Sequence, residues 1–74
     1  MKSNIDENFL INNRIELGEK IRQYREAKGL TSQQLADQMN ISRSTISKIE
    51  AGKWNYGIDT LNSFAVYLDF KVNI

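Results

Sequence analysis

Four side chains that can form hydrogen bonds stand close together near the middle of the chain: Arg43, Ser44, Ser47 and Lys48. If this stretch is a helix, Ile46 and Ile49 form its buried side and the four polar residues share its outer side. Such donors contact phosphates or the edges of bases, but they also occur on helix faces that meet only water. Periodicity alone favours the second interpretation, so the surrounding sequence has to decide.

The composition excludes several classes of chemistry. The 74 residues include no cysteine and no histidine, which rules out disulfides, Cys/His zinc sites and histidine acid–base catalysis. The acidic residues form no obvious catalytic pair, so we expect no enzyme activity, no cofactor and no metal. Since no apolar run approaches the ~18 residues of a membrane span and no signal peptide is recognisable, we expect a cytoplasmic protein without membrane contact.

The charges are unevenly distributed although the net charge is only +1. Residues 20–55 sum to +4, whereas residues 1–19 sum to −2 and residues 56–74 to −1. A positive central segment suits an anionic partner, but a solvated charged face would have the same composition.

A first helix is predicted from a capping box at Asn13 and Glu16 to about Lys28, where Gly29 suits a left-handed end. Before it, residues 9–11 form a short apolar run that predicts either a strand or a segment leading into this helix.

Two short helices follow, separated by only about three residues. A second capping box at residues 31–34 begins one that ends near Met39, and Asn40 suits the sharp turn after it. Ser42 is a good N-cap for the next, which runs from about residue 43 to 50 and ends before Gly52. Two short capped helices joined this closely are typical of a helix-turn-helix unit.

A fourth helix begins at Gly57 or Asp59 and ends near Leu68. Beyond it, residues 70–74 alternate apolar and polar, which predicts a short strand. A lone strand needs a partner, so we expect it to pair with its copy in a second chain; pairing with residues 9–11 of the same chain is the alternative. The predicted dimerisation residues are Phe70, Val72 and Ile74.

The sequence LTSQQLADQMNISRSTISKIEAGK at residues 30–53 resembles the Xre/Cro phage-repressor class of helix-turn-helix proteins. The resemblance covers about residues 17–68. It implies an all-α, lambda-repressor-like DNA-binding domain of four to five helices, a single domain over residues 1–74 with its helix-turn-helix core at about 31–53. The family usually has glycine where Asn40 stands, and often proline where Trp54 and Tyr56 stand.

The resemblance also implies roles for individual residues. Positions that read bases correspond to Arg43, Ser44, Ser47 and Lys48. Positions that touch the phosphate backbone correspond to Ser32, Gln33, Thr45, Lys53 and Asn55. Arg25 and Glu50 correspond to a structural pair that joins the first and third helices.

These features predict a transcriptional regulator that binds double-stranded DNA as a homodimer, as a repressor or autorepressor. The helix-then-strand ending is similar to HipB-like antitoxins, which would add a cognate toxin protein as a partner; a plain repressor and a restriction-modification controller are the rival subtypes. The alternative from another class is a coactivator-type protein-interaction module that uses the same fold without reading DNA.

Overall fold

Over residues 7–72, the part that the computed structural model describes, the chain folds into four helices and no strand. The helices are α1 (Glu7–Ala27), α2 (Ser32–Met39), α3 (Arg43–Glu50) and α4 (Ile58–Leu68). α2 and α3 pack on each other, α1 packs on α3, and α4 contacts α1 and α2. This is the small all-α architecture that the sequence predicted. None of the described helices is both long and apolar enough to cross a membrane.

The residues predicted to cap α2 and α3 form the expected hydrogen bonds. The Thr31 hydroxyl accepts from the Gln34 backbone N–H at 3.0 Å, and the Gln34 side chain accepts from the Thr31 N–H at 2.8 Å, which completes the capping box. Asn40 ends α2 in the left-handed conformation with φ 56°. Ser42 then caps α3 by accepting from the Thr45 N–H at 3.0 Å. The turn between the two helices is therefore fixed by local hydrogen bonds.

The prediction that the first helix begins at the capping box of Asn13 and Glu16 is wrong. The helix begins at Glu7, so Asn13 and Glu16 lie inside it as exposed side chains. Residues 9–11 are helical as well, which excludes the strand alternative. A capping box acts only where the preceding backbone leaves the helix, and residues 7–12 contain neither glycine nor proline to force that departure.

The segment after α4 turns back toward the helix and does not continue as the predicted strand. Asp69 ends α4 with φ 61°, and the chain turns so that the Phe70 N–H donates to the Ala65 carbonyl at 3.0 Å. The Phe70 ring stacks on Tyr24 of α1, with centroids 4.6 Å apart and planes 11° apart. Residues 70–72 form no strand; residues 73 and 74, and with them Ile74, lie outside the described part of the chain. Phe70 thus packs back on the core of its own chain.

A single apolar cluster holds the four helices together. Its fully buried members are Ile21, Leu35, Ala36, Ile46, Ile49, Phe64 and Leu68. Gly18 brings α1 against the end of α3: a β-carbon at this position would lie 2.6 Å from the Glu50 carbonyl oxygen and closer still to that of Ile49. The orientation of α3 relative to α1 is therefore set by backbone contact as well as by side chains.

Candidate nucleic-acid interface

The outer side of α3 presents the four predicted base-contacting side chains together. Ile46 and Ile49 are buried and attach the helix to the core. The exposed residues of the helix are Arg43, Ser44, Ser47 and Lys48. Because an eight-residue helix has only about two turns, these side chains form one small patch that is polar and carries two positive charges.

The five predicted phosphate-contacting residues come from three different segments of the chain. Ser32 begins α2, where free backbone N–H groups and the helix dipole favour an anion. Gln33 is exposed and donates to Asp37 at 2.8 Å. Thr45 lies on α3, where its hydroxyl bonds to the Ser42 hydroxyl at 2.8 Å. Two further residues, Lys53 and Asn55, are exposed in the segment that follows α3.

The predicted pair of Arg25 and Glu50 forms an ion pair between α1 and the end of α3. Arg25 Nε lies 2.7 Å from Glu50 Oε2 and Nη2 lies 3.1 Å from Oε1, so the contact is bidentate. A third donor, Nη1, bonds to the Leu30 carbonyl at 2.7 Å. The side chains are only 11% and 8% exposed, and hydrogen bonding to Glu50 raises the pKa of Arg25. The pair holds the C-terminal end of α3 while its N-terminal end stays free.

One feature of the interface was missed by sequence reasoning. The ring of Trp54, in the segment after α3, lies beside Lys48, whose Nζ is 5.8 Å from the ring centroid. An exposed cation–π contact of this kind contributes about 0.5–1 kcal/mol. The available signal was a lysine in the last turn of a helix with an aromatic residue just beyond the terminating Gly52.

Within residues 7–72 no three acidic side chains gather closely enough to suggest a metal site. The side chains of the patch can donate hydrogen bonds, and two of them, Arg43 and Lys48, are positively charged.

Sequence and structure comparisons agree with this geometry. The model of a family described as a helix-turn-helix domain matches residues 16–73. The chain belongs to this helix-turn-helix family. Among curated relatives, the HTH-type transcriptional activator BcrR of Enterococcus faecalis is 36% identical over 59 residues. The immunity repressor protein of Bacillus phage phi105 is 35% identical over 57 residues.

These two matches cover 80% and 77% of this chain, but the chain spans only 29% and 40% of the relatives' own lengths. A solved structure also matches this helix-turn-helix domain, that of the restriction-modification controller protein C.AhdI from Aeromonas hydrophila. It superimposes with a TM-score of 0.76 at 28% identity, over 82% of this chain and 88% of that one. The phage repressor and the controller protein confirm the predicted Xre/Cro-type membership.

Proposed function

We propose that this protein is a sequence-specific transcriptional regulator that inserts α3 into the major groove of double-stranded DNA. The observation that carries the proposal is the exposed patch of Arg43, Ser44, Ser47 and Lys48. The opposite side of their helix packs on the core, and the Arg25–Glu50 ion pair fixes its end to α1. The major groove is ~12 Å wide and admits one helix, and recognition helices read bases from their N-terminal turns.

Arg43 is the residue we assign to base discrimination. Its exposed guanidinium can bind both O6 and N7 of a guanine, which is worth ~1–3 kcal/mol against a wrong base. Ser44, Ser47 and Lys48 would contact neighbouring bases. The polar residues around the patch would bind phosphates and fix the register of the helix on the duplex.

Repression is the mode we propose, because a domain bound across a promoter blocks it without any further contact. The relatives include a named activator and a named repressor, so an operator placed beside a promoter could serve either role. We further propose that the regulator binds as a homodimer in the cytoplasm. The antitoxin subtype and its toxin partner remain predictions from the resemblance alone.

The test begins with selection from a random duplex library, followed by fluorescence anisotropy on the enriched site and on a scrambled duplex at several salt concentrations. We expect a clear preference for the enriched site. Arg43→Ala should reduce that preference by ~5–150-fold, the equivalent of the lost guanine contact. The single tryptophan, Trp54, gives a second readout because its emission should change when DNA binds Lys48.

Two variants control for charge. Arg43→Lys keeps the positive charge but loses the bidentate contact, so it should retain the salt dependence and lose the preference. Lys71→Ala removes one exposed charge outside the patch and should leave the preference intact. If no sequence is enriched and binding stays weak at low salt, the protein does not read DNA, and the protein-interaction module becomes the better interpretation.

A further inference from the structure

Much of the first half of α1 is exposed, although the Ile15 backbone lies close to Gly52 and Leu17 packs against the core. Among its residues 7–17 none is buried, and the first buried position of the helix is Gly18. A helix segment of this length is marginal in water unless one of its faces packs on something. Several large apolar side chains lie exposed on it or beside it: Phe9, Leu10, Ile15 and, at the start of α4, Ile58. Exposed apolar patches of this kind mark interaction surfaces.

A groove of about 350 Å³ lies between this segment and the start of α4. Leu10, Arg14 and Leu17 follow one another at spacings of four and three, so they form one wall along a single face of α1. The opposite wall is built from Tyr56, Ile58 and Leu61. The groove is mostly apolar and open to solvent along its length.

Two polar atoms in the groove residues have no partner. Arg14 Nε and the Tyr56 hydroxyl are buried and form no hydrogen bond within the described structure, and burial raises the pKa of Tyr56. Buried donors in native proteins are nearly always satisfied, and leaving one unpaired is costly. The groove is lined by a cationic and a phenolic side chain as well as by apolar ones. An apolar stripe beside the positive charge of Arg14 is complementary to a helix that carries a leucine next to a carboxylate.

The first turn of α1 itself has that chemistry. Glu7 and Leu10 are three residues apart and so lie on one face of the helix; Glu7 is exposed, and Leu10 is 48% exposed. We propose that the groove is a dimer interface in which the α1 helices of two copies pack antiparallel. Leu10 of each copy enters the groove of the other, and Glu7 of each copy pairs with Arg14 of the other. Such a contact is isologous and closes after two copies.

This interface replaces the one expected from residues 70–74. Phe70 already stacks on Tyr24 of its own chain, so its apolar ring is occupied. The inference deepens the proposed function, because a DNA regulator of this fold reads two half-sites as a dimer. It is nevertheless measured without DNA, so it can fail or succeed independently of the DNA-binding proposal.

The experiment is sedimentation velocity of the full chain across micromolar concentrations, with circular dichroism to confirm that each variant is folded. We expect a concentration-dependent dimer. Leu10→Glu places a charge in the apolar groove and should weaken dimerisation by at least ~30-fold. The matched control is Val66→Glu, at an apolar residue on α4 that is 78% exposed and outside the groove; it should leave the dimer unchanged.

The charge pair has its own test. Glu7→Arg and Arg14→Glu should each weaken dimerisation by about tenfold, and the combined variant should restore it to near the wild-type value. The proposal is wrong if the wild type stays monomeric at every concentration or if Val66→Glu dissociates the dimer as strongly as Leu10→Glu. It is equally wrong if Val72→Glu dissociates the dimer and Leu10→Glu does not, since the C-terminal segment would then form the contact.

Discussion

The two halves of α1 belong to one continuous helix but are supported in different ways. The second half places Gly18, Ile21 and Arg25 at spacings of three and four, and all three are buried against the rest of the domain. The first half, residues 7–17, has no buried residue. The second half is thus held by tertiary packing within one chain, whereas the first half leaves Leu10 and Ile15 about half exposed and packs Leu17 against the core.

This difference shows that the length of a helix does not tell how much of it packs against the rest of the domain. Propagation adds residues to an existing helix at little cost, while nucleation is costly. The buried half can therefore act as the nucleus from which the exposed half is extended. Exposed residues of the first half, such as Leu10, are available for a contact with another molecule, whereas Ile15 and Leu17 also contact the rest of the domain.

The largest effect is expected at Arg25, a buried residue of the second half, compared with an exposed arginine of the same half. Arg25→Met leaves the Glu50 carboxylate and the Leu30 carbonyl without their donors, and breaking a buried pair in this way costs about 3–5 kcal/mol. Urea denaturation measures the loss in the free energy of unfolding. Arg22→Met, whose side chain is 42% exposed and pairs with Glu19 and Glu26 at the surface, should cost no more than about 1 kcal/mol. Equal losses in the two variants would contradict a structural role for the buried pair.

A second comparison uses one alanine substitution in each half. Ile21→Ala removes a fully buried side chain and should lower the free energy of unfolding by about 2–5 kcal/mol. Leu10→Ala should change it by less than about 0.5 kcal/mol at low protein concentration, as surface substitutions do. At high concentration the Leu10→Ala deficit should grow, because only the wild type then gains stability from dimerisation. A large loss at Leu10 that is independent of concentration would show that the first half is part of the monomer's core.

The smallest contrast between paired variants is expected at the boundary between the halves. Gly18→Ala pushes a β-carbon into the carbonyl oxygens at the end of α3 and should cost about 1–3 kcal/mol. Gly57→Ser is the matched control, because a β-carbon there meets nothing within 4 Å and the hydroxyl can cap α4. It should be neutral or stabilising by a few tenths of a kcal/mol. Thermal unfolding monitored by circular dichroism distinguishes the two, and a neutral Gly18→Ala would mean that α3 is free to shift.

The part of the fold that sequence reasoning predicted best is α2 with α3. Their ends are set by local hydrogen bonds from Thr31, Gln34 and Ser42, and local bonds are encoded by residues a few positions apart. The pair of Arg25 and Glu50 is separated by 25 positions. It was found only through the resemblance to a family, since spacing alone gives no sign of it.

The errors have two causes: a local signal inside an uninterrupted helix, and contacts that short-range patterns do not encode. The capping box at Asn13 is a valid local signal, but the helix continues through it because nothing upstream interrupts the backbone. The alternation after Leu68 suggested a strand, yet Phe70 is placed by stacking on Tyr24, a residue far away in sequence. The contact of Lys48 with Trp54 depends on how the chain turns after Gly52, which side-chain periodicity does not specify.

The close approach at Gly18 has a consequence for the spacing of an operator. The same helix that would join two copies touches the end of α3 backbone to backbone and is tied to it again by Arg25. With no flexible connection on that path, the separation of two recognition helices would be a fixed length. Each extra base pair between half-sites moves one of them by ~3.4 Å along the duplex and by about a tenth of a turn around it. A dimer built in this way would bind operators with one half-site spacing far more tightly than operators whose spacing differs by a base pair.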